Sequence, residues 1–143
     1  MAQLRDVVGD FWRAIDGQDW NLLYSTLAPD FERVGPSGED EDVYRGRDEY
    51  HKYASTNIEK VGKYGHQVLN TFYSPDRRFA VSETLESIAN DGQDLVQLKL
   101  LNLFALDEDG LLTSLSLYWK TPATIPESWR AVEGLRVAAG PAE

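Results

Sequence analysis

The chain has no cysteine, one methionine and two histidines among its 143 residues. Without thiols there is no disulfide, no thiolate metal centre and no cysteine nucleophile, and nothing argues for an oxidising compartment. The two histidines, His51 and His66, stand in no Asp/Glu-His spacing of the kind that builds a metal site. Basic residues are also scarce, 14 Lys and Arg against 24 Asp and Glu, which gives a formal charge of -10. A phosphate backbone or an anionic lipid surface is repelled by such a chain, so nucleic acid and membrane are excluded as expected partners. No apolar run approaches membrane-spanning length. The opening MAQLRDVVGDFW is charged and amphipathic, unlike a signal peptide, and the expectation is a cytoplasmic protein. Gly-rich phosphate loops, nucleophile elbows and paired metal-binding carboxylates are all missing, and no cofactor is expected.

What is present is enough for one domain with a real core: 42% of residues are hydrophobic and 11% aromatic. From Gln3 to about Gly17 the apolar residues Leu4, Val7, Val8, Phe11, Trp12 and Ile15 recur at helical spacing, with one broad buried face. Asp19 caps a second, short helix from Trp20 to about Leu27, which Pro29 and Asp30 end. Phe31 to Val34 reads as a short strand, and Val43 to Arg45 as the arm that pairs back onto it. The stretch between, Gly35 to Asp42, combines glycines, a proline and four consecutive acids, the composition of a mobile loop or of a lid. Gly46 opens a third helix, running to about Val61, with an aromatic stripe of Tyr50 and Tyr53.

From His66 onward the texture changes to strands: His66 to Tyr73, Arg78 to Ala89, then two strands within Leu95 to Lys120. Ser74-Pro75-Asp76, Asn90-Asp91-Gly92 and Asp107 to Gly110 are turn sequences suited to antiparallel hairpins. The tail from Thr121, rich in Pro, Ala and Gly, is set apart as residues 123–143. Helices first and a meander after define an α+β domain, with helices on one face of a curved antiparallel sheet.

Strand parity then locates the chemistry, because alternate side chains face opposite sides of a sheet. Val96, Leu98, Leu100, Phe104 and Leu106 share a face with one polar residue, Asn102. On the next strand Leu111, Leu115, Leu117 and Trp119 share a face. A lone amide in an apolar row costs about 1 to 3 kcal/mol if left unpaired, so Asn102 needs a protein, water or ligand partner. As a neutral donor it suits a carbonyl or alkoxide oxygen. Between Phe79 and Ala89 both parities carry an acid: Glu83 stands with Val81 and Leu85, Glu86 with Ser82, Thr84 and Ile88. Whichever faces inward is the candidate general acid or base, its pKa raised by desolvation. Trp12 and Tyr53 are either core or pocket lining.

The order of elements, the Asp-Gly-Gln-Asp from Asp16, the Gly-Arg-Asp-Glu from Gly46 and the run from Asp109 to Lys120 together resemble the nuclear transport factor 2 like superfamily over about residues 4 to 122. Within it the chain is most similar to the branch of ketosteroid isomerases and SnoaL-like proteins. The resemblance implies a cystatin-like cone of sheet wrapped around the N-terminal helices, a homodimer formed through the outer sheet face, and a small hydrophobic or aromatic molecule bound inside. It implies a cofactor-independent isomerase, hydrolase or cyclase acting on a small apolar oxygenated compound, or a ligand-binding or dimerisation module of the same fold. Phe11, Trp12, Tyr53, Leu100, Phe104, Leu115, Leu117 and Trp119 are the expected ligand-binding residues, and Asn102, Glu83 and Glu86 the catalytic candidates. The steroid isomerases' first-helix tyrosine falls on Phe11 and their base aspartate on about Gly35. Asn102 takes the place of the second oxyanion donor, and Trp119 that of the pocket tryptophan.

Overall fold

The structure, a computed structural model, describes residues 4–36, 40–57, 63–89 and 96–119. Helix α1 spans Val7–Gly17. The Asp6 carboxylate caps it by accepting from the Gly9 N–H, and the chain leaves it at Gln18 in the left-handed conformation, φ 51°. Of the residues expected at its buried face, Val7, Val8, Phe11, Trp12 and Ile15 are buried, joined by Ala14, whereas Leu4 precedes the helix and is exposed. Helix α2, Trp20–Thr26, is capped by Asp19 as expected, through the Leu22 N–H.

Strand β1, Leu27–Val34, begins four residues earlier than Phe31, so Pro29 lies within it, at a shift of register between Leu27 and Glu32. Proline donates no ladder hydrogen bond and is at home at such an irregularity. A single 3-10 turn, Asp40–Asp42, leads into β2, Val43–Arg45, which pairs antiparallel with β1. Helix α3 covers Arg47–Asn57; the expected extension to Val61 lies outside the described residues. Strands β3 (Lys63–Tyr73), β4 (Phe79–Ala89), β5 (Val96–Leu106) and β6 (Leu112–Trp119) complete the chain's described part. The tail 123–143 lies outside it.

The six strands form one curved, unclosed sheet in the order β2-β1-β6-β5-β4-β3. It is an α+β cone, with one departure from an all-antiparallel meander: β1 lies parallel to β6, Arg33 opposite Leu115. The inner face packs on the helices. The rings of Phe11 and Phe104 meet edge to face at 5.3 Å, Trp12 meets Phe104 at 5.9 Å, and Phe31 lies 5.0 Å from Tyr50. In β6 the buried sequence begins at Leu112, not Leu111, because the β5–β6 ladder shifts between Ala105 and Leu106 and sets Leu106 opposite Leu112.

Candidate functional site

The inner face is ordered in rows set by the ladders. Leu115, Phe104 and Ala80 form one, Leu117, Asn102 and Ser82 the next, then Leu100 with Thr84, and last Leu98 with Glu86. On β4 the inner parity is therefore Ala80, Ser82, Thr84 and Glu86, and three of these are fully buried. Glu83 points the other way. Its carboxylate pairs with Lys99 at 3.5 Å on the outer face, both partly exposed, which removes it from the interior and corrects the expectation that it is an inward acid.

Glu86 is the inward acid. It is mostly buried, and burial pushes its carboxyl above the ordinary carboxylate range, an effect the positive charge of Arg33 partly offsets. Its ladder partner on β3 is His66. Arg33 enters from β1 on the same face as the buried Phe31. Its Nη1 meets Asp42 Oδ1 at 3.2 Å, and its guanidinium carbon lies 5.4 Å from the Tyr53 ring centre and 5.7 Å from that of Tyr44. Burial works against its charge, and Tyr53, Tyr50 and Asp42 more than offset that. Tyr44 and Tyr53 stack at 3.9 Å. Burial also raises the phenols of Tyr50 and Tyr44, so both are held as neutral hydroxyls.

Asn102 is fully buried, and its surroundings differ from the expectation of a free donor. Its Nδ2 donates to the Ser82 carbonyl at 3.1 Å and to Thr84 Oγ1 at 2.9 Å. Both amide hydrogens are used, and Oδ1, sealed from solvent, has no hydrogen-bond partner among the described residues. Beside it, the Trp12 indole N–H donates to Ser82 Oγ at 3.0 Å, and Ser82 Oγ shares a hydrogen bond with Thr71 Oγ1 at 2.9 Å. A hydroxyl-lined strip thus runs along the inside of β4.

Of the other expected ligand-binding residues, Phe11, Trp12, Leu100, Phe104, Leu115 and Leu117 all lie in the core, and Tyr53 is partly buried at its edge. The side chain of Trp119 lies outside the described residues. Asn102 and Glu86 share a face but are two rows apart: Ser82, opposite Asn102, stands four residues from Glu86, about 13 Å along the strand. The two side chains therefore do not meet at one point. Arg33, Asp42 and Tyr44 were not anticipated. The signal was available, since Arg33 has the parity of Phe31 and Tyr44 faces it across the short hairpin.

A cavity of about 490 Å³ opens at the far end of the molecule, between Leu4, Arg5, Arg77, Arg78, Leu106 and Asp107. It is remote from Glu86, and its arginines are engaged: Arg5 with Asp10 and Ser25, Arg77 with the Arg5 carbonyl and over the Tyr73 ring, Arg78 with Glu108. Among the described residues no group of three or more His, Asp or Glu side chains gathers as a metal site.

No protein-family model matches the sequence, and no curated protein is recognisably similar to it. Solved structures are. The epoxide hydrolase/cyclase-like enzyme SalBIII of pyran ring formation in salinomycin superposes with a TM-score of 0.68 at 16% identity, over 81% of this chain and 89% of that one. An NTF2-like protein of unknown function from Cytophaga hutchinsonii gives 0.63 at 21% identity, over 83% and 93%. RV0760c of Mycobacterium tuberculosis, in complex with estradiol-17beta-hemisuccinate, gives 0.68 at 17% identity, over 80% and 91%. The chain has the nuclear transport factor 2 like fold, the cystatin-like cone that the resemblance implied.

Proposed function

We propose that the inner face is the site of a cofactor-independent acid–base enzyme, of the isomerase, hydrolase or cyclase kind, acting on a small apolar oxygenated molecule. The observation that carries this is Glu86, the one carboxyl that the inner parity of β4 turns inward, with its proton affinity raised by burial and only partly offset by Arg33. A carboxyl whose proton affinity is raised by burial is suited to take a proton from one atom of a substrate and return it to another, or to activate a water for ring opening. Arg33, held by Asp42 and two tyrosine rings, compensates the negative charge that Glu86 carries before it takes a proton as the base and regains when it gives that proton up. SalBIII and RV0760c support the class of ligand, an oxygenated molecule with an apolar body.

The experiment is a turnover screen against apolar epoxides, lactones and unsaturated ketones, with Glu86→Gln as the control. General acid–base catalysis contributes about 10²- to 10⁴-fold, and the variant is expected to lose that factor. Turnover that survives Glu86→Gln unchanged removes Glu86 from the chemistry.

One observation favours a second reading, a ligand-binding module without chemistry: the amide hydrogens of Asn102 are spent and Phe11 has no hydroxyl, so the expected oxyanion donors are missing. Saturable binding with no turnover across the screen would select it. In either case the assembly we propose is a homodimer through the outer face, where Phe72, Phe79, Leu101, Leu103 and Tyr118 are exposed. The proposed compartment is the cytoplasm; among the described residues no helix is long and apolar enough to cross a membrane.

A further inference from the structure

The orientation of the Asn102 amide is decided by its neighbours. The Ser82 carbonyl can only accept, so the nitrogen must face it, and turning the amide over would set carbonyl against carbonyl. The second amide hydrogen goes to Thr84 Oγ1. What remains is Oδ1, an acceptor with no partner among the described residues, on a side chain with 0% exposure and flanked by Leu100, Phe104 and Leu117. A buried acceptor in that state is a standing cost to the fold, which a bound hydrogen-bond donor relieves and a bound carbonyl worsens.

We infer that the inner face selects its ligand by a hydrogen-bond donor: an otherwise apolar, ring-bearing molecule whose hydroxyl or N–H group seats on Asn102 Oδ1, with a carbonyl at that end rejected. This rests on the reading of the inner face as a small-molecule site, and it reverses the polarity expected of an amide that donates to a substrate oxygen. A ring-bearing body suits the aromatic cluster of Phe11, Trp12 and Phe104, which reaches Asn102 through Phe104, its neighbour on the inner face of β5, and through Trp12, bonded to Ser82 opposite it. The spacing of about 13 Å to Glu86 places the donor at one end of the ligand and any proton transfer at the other. Oδ1 is sealed while the face is closed, so the ligand enters by displacing the flanking leucine side chains.

Three probes of equal body separate the cases: 2-naphthol, which donates; 2-methoxynaphthalene, which does not; and methyl 2-naphthyl ketone, which presents a carbonyl. Calorimetric titration of the full chain is expected to give naphthol an affinity at least about tenfold above the ether, with the ketone weakest. Asn102→Leu is expected to bring naphthol and ether within about twofold. Thr84→Val keeps the side-chain shape and leaves Oδ1 without a partner, so naphthol is expected to stay above the ether and the ketone to stay weakest, and loss of that order would overturn the anchor even if Asn102→Leu does not fold. Equal binding of naphthol and ether by the unaltered chain overturns the donor anchor and leaves the small-molecule reading in place. If none of the three probes binds, both fall together.

Discussion

Arg33 Nη1 and Asp42 Oδ1 lie 3.2 Å apart across the neck of the β1–β2 hairpin, directly over Gly35, whose N–H donates to the Asp42 carbonyl at 2.8 Å. A Cβ on residue 35 would collide with the Asp42 carboxylate, so glycine is what lets that carboxylate reach Arg33. The ion pair is mostly buried, and losing one partner leaves a poorly compensated charge.

Gly35→Ala and Asp42→Asn should therefore each lower stability by about 1 to 3 kcal/mol. Because both act through the same contact, the double variant should lose little more than either alone. Urea unfolding of the four proteins measures this; full additivity would show that Gly35 does not serve the pair.

Glu86 sets a pH dependence of stability. A carboxyl whose folded pKa is raised binds its proton more firmly in the folded state, so its contribution is present in full below the unfolded value near 4.5 and is lost as pH rises from there through the higher folded value. Glu86→Gln removes that slope. The variant should match the parent near pH 4 and exceed it at pH 7, by about 1.4 kcal/mol for each unit of the raised pKa. Denaturant titrations at the two values test it, and a parent more stable than the variant at pH 7 contradicts the burial of this charge.

Asp6 behaves in the opposite sense. Burial works to raise its pKa, but the Tyr73 hydroxyl at 2.5 Å and the Gly9 N–H at 3.0 Å outweigh it, helped by Arg13 and Arg77. Burial and the same hydrogen bond push Tyr73 up to about 12. The stability Asp6 supplies is present above its ordinary value near 3.8 and is lost as pH falls through that value towards the lower folded one. Tyr73→Phe should cost about 0.5 to 1 kcal/mol at pH 7, a figure discounted for the exposure of Asp6. The difference should shrink below pH 3, as thermal melts across that range would show.

Ser82 joins α1 to the sheet through Trp12 and continues to Thr71. Ser82→Ala removes the acceptor for the indole N–H at a buried site and should destabilise the chain by about 1 to 3 kcal/mol. Tryptophan emission should shift as the contact is lost. An unchanged melting temperature and spectrum would mean that the hydroxyl contributes nothing to this junction.

If the outer face joins two chains, a charge placed in it should separate them. Phe72→Glu or Leu101→Glu should convert a dimer to a monomer on analytical ultracentrifugation, while Leu4→Glu, on an equally exposed apolar residue away from the sheet, should not. A monomeric parent protein would end the dimer proposal.

Much of the fold was legible because its elements carry strong local signals. Asp6 to Gly17 has a clear helical period, Asp19 is an N-cap, and the parity of Leu98, Leu100, Asn102 and Phe104 placed the amide correctly on the inner face. The β4 parity was not legible. Hydrophobicity marks the inside of a sheet only when the outside is polar, whereas here Val81, Leu101, Leu103 and Phe72 are on the outer face and Ser82 and Thr84 on the inner one. Leu111 was assigned where Leu112 belongs because the ladder takes one irregular step between Ala105 and Leu106. That step changes parity at the turn end of β6 while leaving Leu115 and Leu117 inward, and a turn sequence does not announce it. Arg33 was passed over because a strand of four residues beside four acids looks like a solvated ion pair until Phe31 and Tyr44 fix its face.

The parallel pairing of β1 with β6 also has a consequence for how the chain reaches this state. Leu27 pairs with Leu112 and Val34 with Ser116, so the first of the described strands is held on its inner side by the last of them. Until β6 has been synthesised and has turned back on β5, β1 and β2, with α3 packed on them, form only a hairpin with an unsatisfied edge. Contacts of such long sequence separation are closed late and slowly. Folding of this domain should therefore be limited by the docking of the β1–β2–α3 segment onto a meander already formed, and an interrupted chain ending before Leu112 should expose both Phe31 and the β5 edge to other molecules.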